Sequence, residues 1–186
     1  MRRTGVVLFL LLFLSGCAGT ASELERGMAL RSRLLQAEQV SFTVDIAADY
    51  GDTIQLFSMD CCSDPEGKLT FTLTAPETIA GITGSISDGE GKLTFDETAL
   101  HFELLTDDQL NPASSPWILM KTLRSGYLTS AGMEDDLLRL TIDDSYEEDA
   151  LQLDIWLGEG DLPQRAEICY DGRTILTLTV KAFHIL

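Results

Sequence analysis

Hydrophobic positions along the chain change their spacing at Val40, and this change separates a helical segment from a strand-rich one. Residues 22–39 place apolar side chains on one side at helical spacing, and Ser22 with Glu25 three residues later has the form of a capping box. That side carries Leu24, Met28, Arg31 and Leu35. The pattern predicts an N-terminal helix over residues 22–39.

From Val40 onward, apolar and polar residues alternate, which is typical of strands with one buried face. The alternation predicts ten strands, at residues 40–46, 53–59, 69–73, 79–87, 92–95, 99–105, 137–142, 151–157, 164–170 and 174–185. Turn signals such as Asp88-Gly89 and Asp171-Gly172 join several of them directly. Short connections between consecutive strands predict an antiparallel sheet.

Glycine and proline interrupt this pattern at three places. We expect loops at residues 61–67 and 106–115, which contain Pro65 and Pro112 respectively. Gly81 and Gly84 indicate a bend or bulge in the strand predicted at residues 79–87.

A second helix is predicted after the loop at residues 106–115. Ser115-Pro116 suits a helix start, because serine can cap the helix and proline fits its first turn. We expect the helix to reach about residue 130, fraying near Gly126 or ending by Gly132. One face of it carries Trp117, Met120, Leu123 and Tyr127.

The first sixteen residues have the organisation of an export signal. Arg2 and Arg3 precede an apolar run at residues 5–14, which is shorter than the roughly 20 apolar residues of a membrane-spanning helix. The following Leu14-Ser15-Gly16-Cys17 resembles the lipobox of bacterial lipoproteins, whose cysteine becomes the acylated first residue. The alternative is an ordinary secretory signal with a chance cysteine.

The lipobox interpretation defines the chain's organisation and location. We expect residues 1–16 to be removed and Cys17 to carry the lipid, with palmitate among its acyl chains. Residues 17–186 then form a single domain outside the cytoplasm. The lipid is expected to anchor it to the cell membrane, or to the outer membrane if the host has one.

Charge excludes one class of partner. The whole chain has 13 basic and 30 acidic residues, and loss of residues 1–16 leaves eleven basic residues and a net charge of −19. Such a surface repels nucleic acid, so no nucleic-acid partner is expected. The acidic cluster at residues 143–149 lacks the glycine and ligand spacing of a dedicated calcium loop, so no metal site is predicted.

Three cysteines remain besides Cys17. Cys61 and Cys62 are adjacent, and a ring between neighbours is strained, so pairing of one of them with Cys169 is favoured over a bond between the two. Free thiols are an equal alternative, and the sequence leaves the pairing open. The chain has no C-x-x-C spacing, which argues against a zinc or thioredoxin-like site.

The order of elements and several short motifs resemble the superfamily of LolA- and LolB-like lipoproteins, with its LppX-like and GerS-like members. The matching motifs are Phe71-x-Leu73-x-x-Pro76-x-x-Ile79-x-Gly81, Asp88-Gly89, Leu93-x-Phe95, Leu162-Pro163 and the paired strands ending near Phe183. The resemblance implies an α+β fold: a strongly curved antiparallel sheet, an unclosed barrel, packed on an N-terminal and a central helix. LolA itself is a soluble shuttle, so a lipid anchor favours an LppX-, LolB- or GerS-like role.

No catalytic constellation is apparent. The chain lacks a G-x-S-x-G elbow, a phosphate-binding loop and an H-E-x-x-H motif, and His101 and His184 stand in unremarkable strand positions. No enzymatic activity and no cofactor are therefore expected. Two functions stay open: binding of a lipid or other hydrophobic ligand, and docking of an exported protein such as a cell-wall or germination enzyme.

The resemblance also implies a concave apolar cavity that can hold acyl chains. Candidate lining residues come from the apolar phase of two strands and from one face of the central helix. They are Phe42, Val44, Phe71 and Leu73 for the floor, and Trp117, Met120, Leu123 and Tyr127 for the helical lid.

Overall fold

The computed structural model describes residues 18–95, 98–103, 105–106, 109–147 and 150–186. The predicted signal peptide at residues 1–16 and the predicted lipidation site, Cys17, lie outside the described residues.

Two helices and thirteen strands form the described part of the chain. The helices are α1 (Ala18–Gln36) and α2 (Ser115–Ser125). The first strands are β1 (Val40–Asp49), β2 (Ile54–Ser63), β3 (Leu69–Ala75), β4 (Thr83–Ser87), β5 (Glu90–Phe95), β6 (Thr98–Glu103), β7 (Leu105–Thr106) and β8 (Gln109–Leu110). The strands after α2 are β9 (Tyr127–Glu134), β10 (Leu137–Asp143), β11 (Gln152–Leu157), β12 (Pro163–Tyr170) and β13 (Arg173–Ile185).

One large sheet dominates the structure. Eleven strands are ordered β6-β5-β4-β3-β2-β1-β13-β12-β11-β10-β9, and each neighbouring pair is antiparallel. Within the described residues the two edge strands, β6 and β9, do not pair with each other, so the curved sheet stays open. The predicted fold class, a curved antiparallel sheet packed on two helices, is confirmed.

The register places apolar side chains of neighbouring strands on one face, which we call the inner face. On β1, Phe42 lies opposite Phe183 of β13 and Cys61 of β2, and the Phe42 and Phe183 rings stack with centroids 5.5 Å apart. Irregularities in several strand pairs, one of them between Thr43 and Val44, increase the local twist and bend the sheet. The core lies between this inner face and the helices.

Helix α1 packs on the sheet with a different face from the one predicted. Gly27, Leu30, Leu34 and Ala37 are buried at and just after the helix, whereas Leu24, Met28 and Leu35 are exposed. The buried side is the one that contains Gly27, because an added Cβ there would meet Leu140 at 3.1 Å. The close approach of the α1 backbone to the sheet at Gly27, rather than the size of the side chains, determines which face of α1 is buried. The helix also begins before Ser22, so the predicted capping box does not form its start.

Helix α2 is shorter than predicted and is buried on nearly every side. Its buried residues are Ser115, Pro116, Trp117, Ile118, Leu119, Met120, Thr122 and Leu123. The chain becomes extended at Gly126 and then forms β9, so the predicted helix over residues 126–130 is wrong. A Cβ at Gly126 would collide with Ile142 and the Thr122 carbonyl, which explains why the helix stops at a glycine.

Arg31 connects the two helices by a hydrogen bond. Arg31 Nε of α1 donates a hydrogen bond of 2.8 Å to the carbonyl oxygen of Leu123, in the last turn of α2. Carbonyls at a helix C-terminus lack partners within the helix and attract cations. Partial burial lowers the pKa of Arg31.

The boundaries of other elements differ by a few residues from the predicted ones. β2 continues through Cys61 to Ser63, where a loop was predicted, and β4 begins at Thr83 rather than at residue 79. The loop predicted at residues 106–115 overlaps the small β7–β8 pair, which begins at Leu105, and contains a 3-10 turn at Pro112–Ser114.

The three described cysteines are free thiols. Cys61 lies on β2 and Cys169 on β12, with β1 and β13 between them. Three strand spacings amount to roughly 14 Å, about twice the Cα–Cα distance that a disulfide can bridge. Burial strongly raises the pKa of the Cys61 thiol.

We predict that Gly84→Ala destabilises the protein by about 1–3 kcal/mol. A Cβ at Gly84 of β4 would overlap the ring of Phe71, which lies across this glycine from β3. Gly132→Ala in β9 is the matched control, because no heavy atom lies within 4 Å of a Cβ built there. Urea unfolding measures both changes, and equal midpoints for the two variants would contradict the prediction.

Candidate functional site

Seven of the eight predicted lining residues are packed in the core. Four lie on the inner face of the sheet and three lie on α2. They are Phe42, Val44, Phe71 and Leu73, together with Trp117, Met120 and Leu123. Their side chains belong to one hydrophobic cluster, so α2 fills the space that a central cavity would need.

Tyr127 does not belong to the helical lid. It is the first residue of β9 and is 38% exposed. Its ring centroid lies 3.6 Å from the ring centroid of Tyr146. The prediction of a four-residue helical face is wrong at this residue because α2 ends at Ser125.

A cavity of about 360 Å³, here called the turn cavity, lies where two tight turns of neighbouring strands meet. β1 and β13 pair directly, which brings the turn after β1 beside the turn before β13. Its apolar lining consists of Ala48, Leu110, Leu151, Ile175 and Leu176. Its remaining lining consists of Asp49, Tyr50, Tyr170, Asp171 and Arg173.

The polar groups of the turn cavity form a partly paired rim. Arg173 Nη2 lies 3.8 Å from Asp49 Oδ1, and both side chains are largely exposed. An exposed pair of this kind contributes roughly 0–1 kcal/mol to stability, so the two groups can part at low cost. Burial raises the pKa of Tyr50, whose side chain lines this rim.

A second cavity, here called the α2 cavity, has a volume of about 780 Å³ and lies beside the central helix. The turn between β2 and β3 and the turn between β4 and β5 form its other walls. Its lining consists of Pro65, Glu66, Gly67, Lys68, Ser87, Asp88, Gly89, Trp117, Met120, Lys121, Arg124 and Ser125. Two predicted residues, Trp117 and Met120, thus border a cavity, whose walls combine polar and apolar surface.

Both tryptophans anchor packing contacts. Trp117 Nε1 donates a hydrogen bond of 3.1 Å to the Gly67 carbonyl, which fixes α2 to the turn between β2 and β3. Trp156 lies on the outer face of β11 between Arg139 and Arg165, whose guanidinium carbons are 5.1 and 4.7 Å from its ring centroid. Arg139 also pairs with the buried Asp154 at 2.9 Å.

The part of the chain that the structure describes contains no group of three or more His, Cys, Asp or Glu side chains placed to hold a metal ion. Across the same residues, neither helix combines the length and hydropathy needed to cross a membrane.

The turn cavity was missed in the sequence because its lining comes from distant segments. The turns at Tyr50 to Asp52 and at Asp171-Gly172 are readable signals, but alternation along one strand does not reveal which strand lies beside it. The pairing of β1 with β13, which joins the two turns, is a property of the sheet order.

Comparison with known proteins gives matches among solved structures alone. No protein-family model matches the chain, and no curated protein sequence matches it. A LolA superfamily protein from Nitrosomonas europaea has a TM-score of 0.46 at 10% identity, covering 86% of this chain and 93% of its own.

Two further solved structures have similar scores. A putative outer membrane lipoprotein-sorting protein domain from Vibrio parahaemolyticus has a TM-score of 0.46 at 10% identity, with coverage of 89% of this chain and 92% of its own. The lipoprotein LppX from Mycobacterium tuberculosis has a TM-score of 0.41 at 11% identity, with coverage of 87% and 93%.

Met120→Lys is expected to destabilise the protein by roughly 3–5 kcal/mol, because a cation would replace a core side chain that is 2% exposed. Met28→Lys makes the same chemical change on the outer side of α1, where the side chain is 49% exposed. It should alter stability by no more than about 0.5 kcal/mol. Thermal unfolding of the two variants checks this, and a Met120→Lys protein as stable as wild type would refute it.

Proposed function

We propose that the protein is an exported, lipid-anchored lipoprotein that binds a hydrophobic ligand in the turn cavity and catalyses no reaction. The observation that carries the proposal is the combination of an apolar floor with a polar rim in a cavity of about 360 Å³. Ligand sites of about 300–1,000 Å³ with a few convergent polar groups are the usual form of a small-molecule pocket.

The lining of the turn cavity favours a ligand with one apolar and one polar end. Ala48 and Leu176 continue the inner face of β1 and β13 into the cavity, so an alkyl chain entering it meets the same surface as the core. Arg173, Asp171 and Tyr50 supply charged and hydroxyl groups at the rim. A fatty acid or another single-chain lipid fits this arrangement.

The anchor proposal rests on the sequence at Leu14-Ser15-Gly16-Cys17 and on the position of α1. The helix includes Ala18, so a lipid on Cys17 would be attached directly before it. Arg26 Nε of α1 donates a hydrogen bond of 3.0 Å to Asp161 Oδ1 in the connection between β11 and β12. An anchor at this place would hold the domain close to the membrane surface.

Docking of an exported protein is the second candidate, and the β5–β6 edge favours it. Phe95 is 61% exposed and Leu100 is 64% exposed, and the register puts both on the inner-face side of the sheet. In the described residues β6 has no strand on its outer side, so its backbone groups are open to an added strand.

Ile175→Trp is expected to lower affinity for a fluorescent long-chain fatty acid by roughly tenfold, equivalent to about 1.4 kcal/mol. The larger ring would occupy the turn cavity, which Ile175 borders as a half-buried residue. Fluorescence titration of the purified protein gives the dissociation constants.

The control for this titration is Ile185→Trp, at the other end of β13 and also half-buried. It should leave fatty-acid affinity unchanged, while thermal unfolding reports any loss of stability in either variant. Absence of binding by the wild-type protein, or an equal effect of the two variants, would remove the turn cavity as the site and favour protein docking at the β5–β6 edge.

Cys17→Ala is expected to abolish incorporation of an alkyne-labelled palmitate in the native host and to leave an uncleaved precursor or a released protein. The reason is that the thiol of Cys17 is the predicted acceptor of the lipid. Cys62→Ala, which removes a thiol from β2, is the control and should retain the label. Labelling and membrane retention of Cys17→Ala at wild-type levels would disprove the anchor.

A further inference from the structure

Arg124, in the last turn of α2, forms hydrogen bonds through one nitrogen of its guanidinium group and none through the other two. Its Nη1 donates to Ser63 Oγ at 3.1 Å and to the Asp64 carbonyl oxygen at 2.7 Å. Its Nε and Nη2 are buried, and neither has a hydrogen-bond partner among the described residues. The guanidinium is thus held in place by one nitrogen while the Nε–Nη2 edge lacks an acceptor.

An unpartnered guanidinium edge is costly and has a specific chemical complement. Buried polar groups are hydrogen-bonded in the great majority of cases, and a buried charged donor without a partner is strongly unfavourable. The N–H bonds of Nε and Nη2 form a planar fork whose spacing matches two oxygens of a carboxylate or phosphate. The missing partner is therefore best supplied by an oxyanion.

The surroundings of Arg124 favour an anion despite the acidity of the chain. Arg124 borders the α2 cavity together with Lys68 and Lys121, whereas Glu66 and Asp88 are the carboxylates in the same lining. The Asp64 carboxylate also acts on Arg124 electrostatically but does not line the cavity. The cavity wall thus carries one more positive than negative charge, in a chain whose net charge is −17.

The two lysines differ in how they are engaged. Lys121 Nζ is 5.4 Å from the Trp117 ring centroid and 4.0 Å from Asp144 Oδ2, so both groups hold it at the cavity. Lys68 is exposed, and its ammonium forms no ion pair within the described part of the chain.

We propose that the α2 cavity is an oxyanion-binding site, with the Nε–Nη2 edge of Arg124 as the bidentate donor and Lys68 as a supporting cation. The recognised group is a phosphate or carboxylate, either free or as the head of an amphiphile whose apolar part lies against Trp117 and Met120. Because Nε and Nη2 are covered, entry of the anion requires a shift of neighbouring side chains. Lys68 and Ser125 border the cavity and are exposed, so they can move. This site is separate from the turn cavity and does not depend on the fatty-acid proposal.

The test measures binding of inorganic phosphate, octyl phosphate and octanol to the purified protein by calorimetry at constant ionic strength. Arg124→Lys keeps a positive charge but removes the fork, and it should weaken binding of the phosphate compounds by roughly tenfold. Lys68→Gln should weaken it severalfold without a change in stability, since this side chain is exposed. Lys92→Gln, an exposed lysine outside the α2 cavity lining, is the matched control and should bind as wild type does.

The three ligands identify the source of the anion. Octyl phosphate binding well above inorganic phosphate indicates the head of an amphiphile, and equal binding of the two indicates a free anion. Ile175→Trp should leave binding of both phosphates unchanged, which distinguishes this site from the turn cavity. The proposal is overturned if the wild type binds neither phosphate compound, if octanol binds as well as octyl phosphate, or if Lys68→Gln binds like Lys92→Gln.

Discussion

An open eleven-stranded sheet has one continuous apolar face, and the need to cover that face governs the rest of the structure. Helix α2 covers it by entering the concave side and becoming buried on nearly all its surface. An inserted helix must still satisfy its terminal carbonyls and its polar side chains. Arg31 satisfies the Leu123 carbonyl at one end of α2, and Trp117 bonds to the Gly67 carbonyl near the other. The tight joint between helix and sheet therefore depends on a few directional bonds as well as on apolar contact.

Because α2 packs against the inner face, the cavities that could hold a ligand lie at the margins of the sheet. A half-barrel with no helix inside would keep one large apolar cavity, but here the inner-face residues Phe42, Val44 and Leu73 pack into the cluster that includes α2. The turn cavity and the α2 cavity are lined by turns, by loops and by the exposed side of the helix. Both have mixed polar and apolar walls, which suits amphiphilic ligands better than purely apolar ones. Occupation of the centre by a larger lipid would require displacement of α2 and loss of its buried contacts.

Local pattern revealed most of the elements but not how they combine. The change of period at Val40 marks the end of the helical segment, and the alternation in β1, β3 and β10 correctly indicates the buried residues. In β13 the alternation holds only as far as Val180, because the phase shifts before Phe183, which is buried. Strand β9 was not predicted because the segments before and after Gly126 both carry apolar residues, so the pattern does not show that the helix ends there. The close approach of Gly126 to Ile142 of β10, which ends the helix, depends on the tertiary structure. The buried face of α1 was missed for a related reason, since Gly27 adds nothing to an apolar stripe yet permits the closest approach to Leu140. The spacing of apolar residues does not predict which glycines contact side chains that are distant in the sequence.

The distribution of cations gives the α2 cavity its significance. Acidic residues outnumber basic ones by more than two to one, yet five of the eleven basic side chains in the described part of the chain form no ion pair. Arg26, Lys121, Arg139, Arg165, Arg173 and Lys181 each form an ion pair among the described residues. Arg124 instead bonds to a hydroxyl and a backbone carbonyl, neither of which neutralises its charge, and partial burial lowers its pKa. The Asp64 carboxylate acts on Arg124 electrostatically, but its side chain makes no hydrogen bond to the guanidinium among the described residues. The proposed oxyanion would therefore supply the Nε–Nη2 edge with the acceptor that no described carboxylate provides.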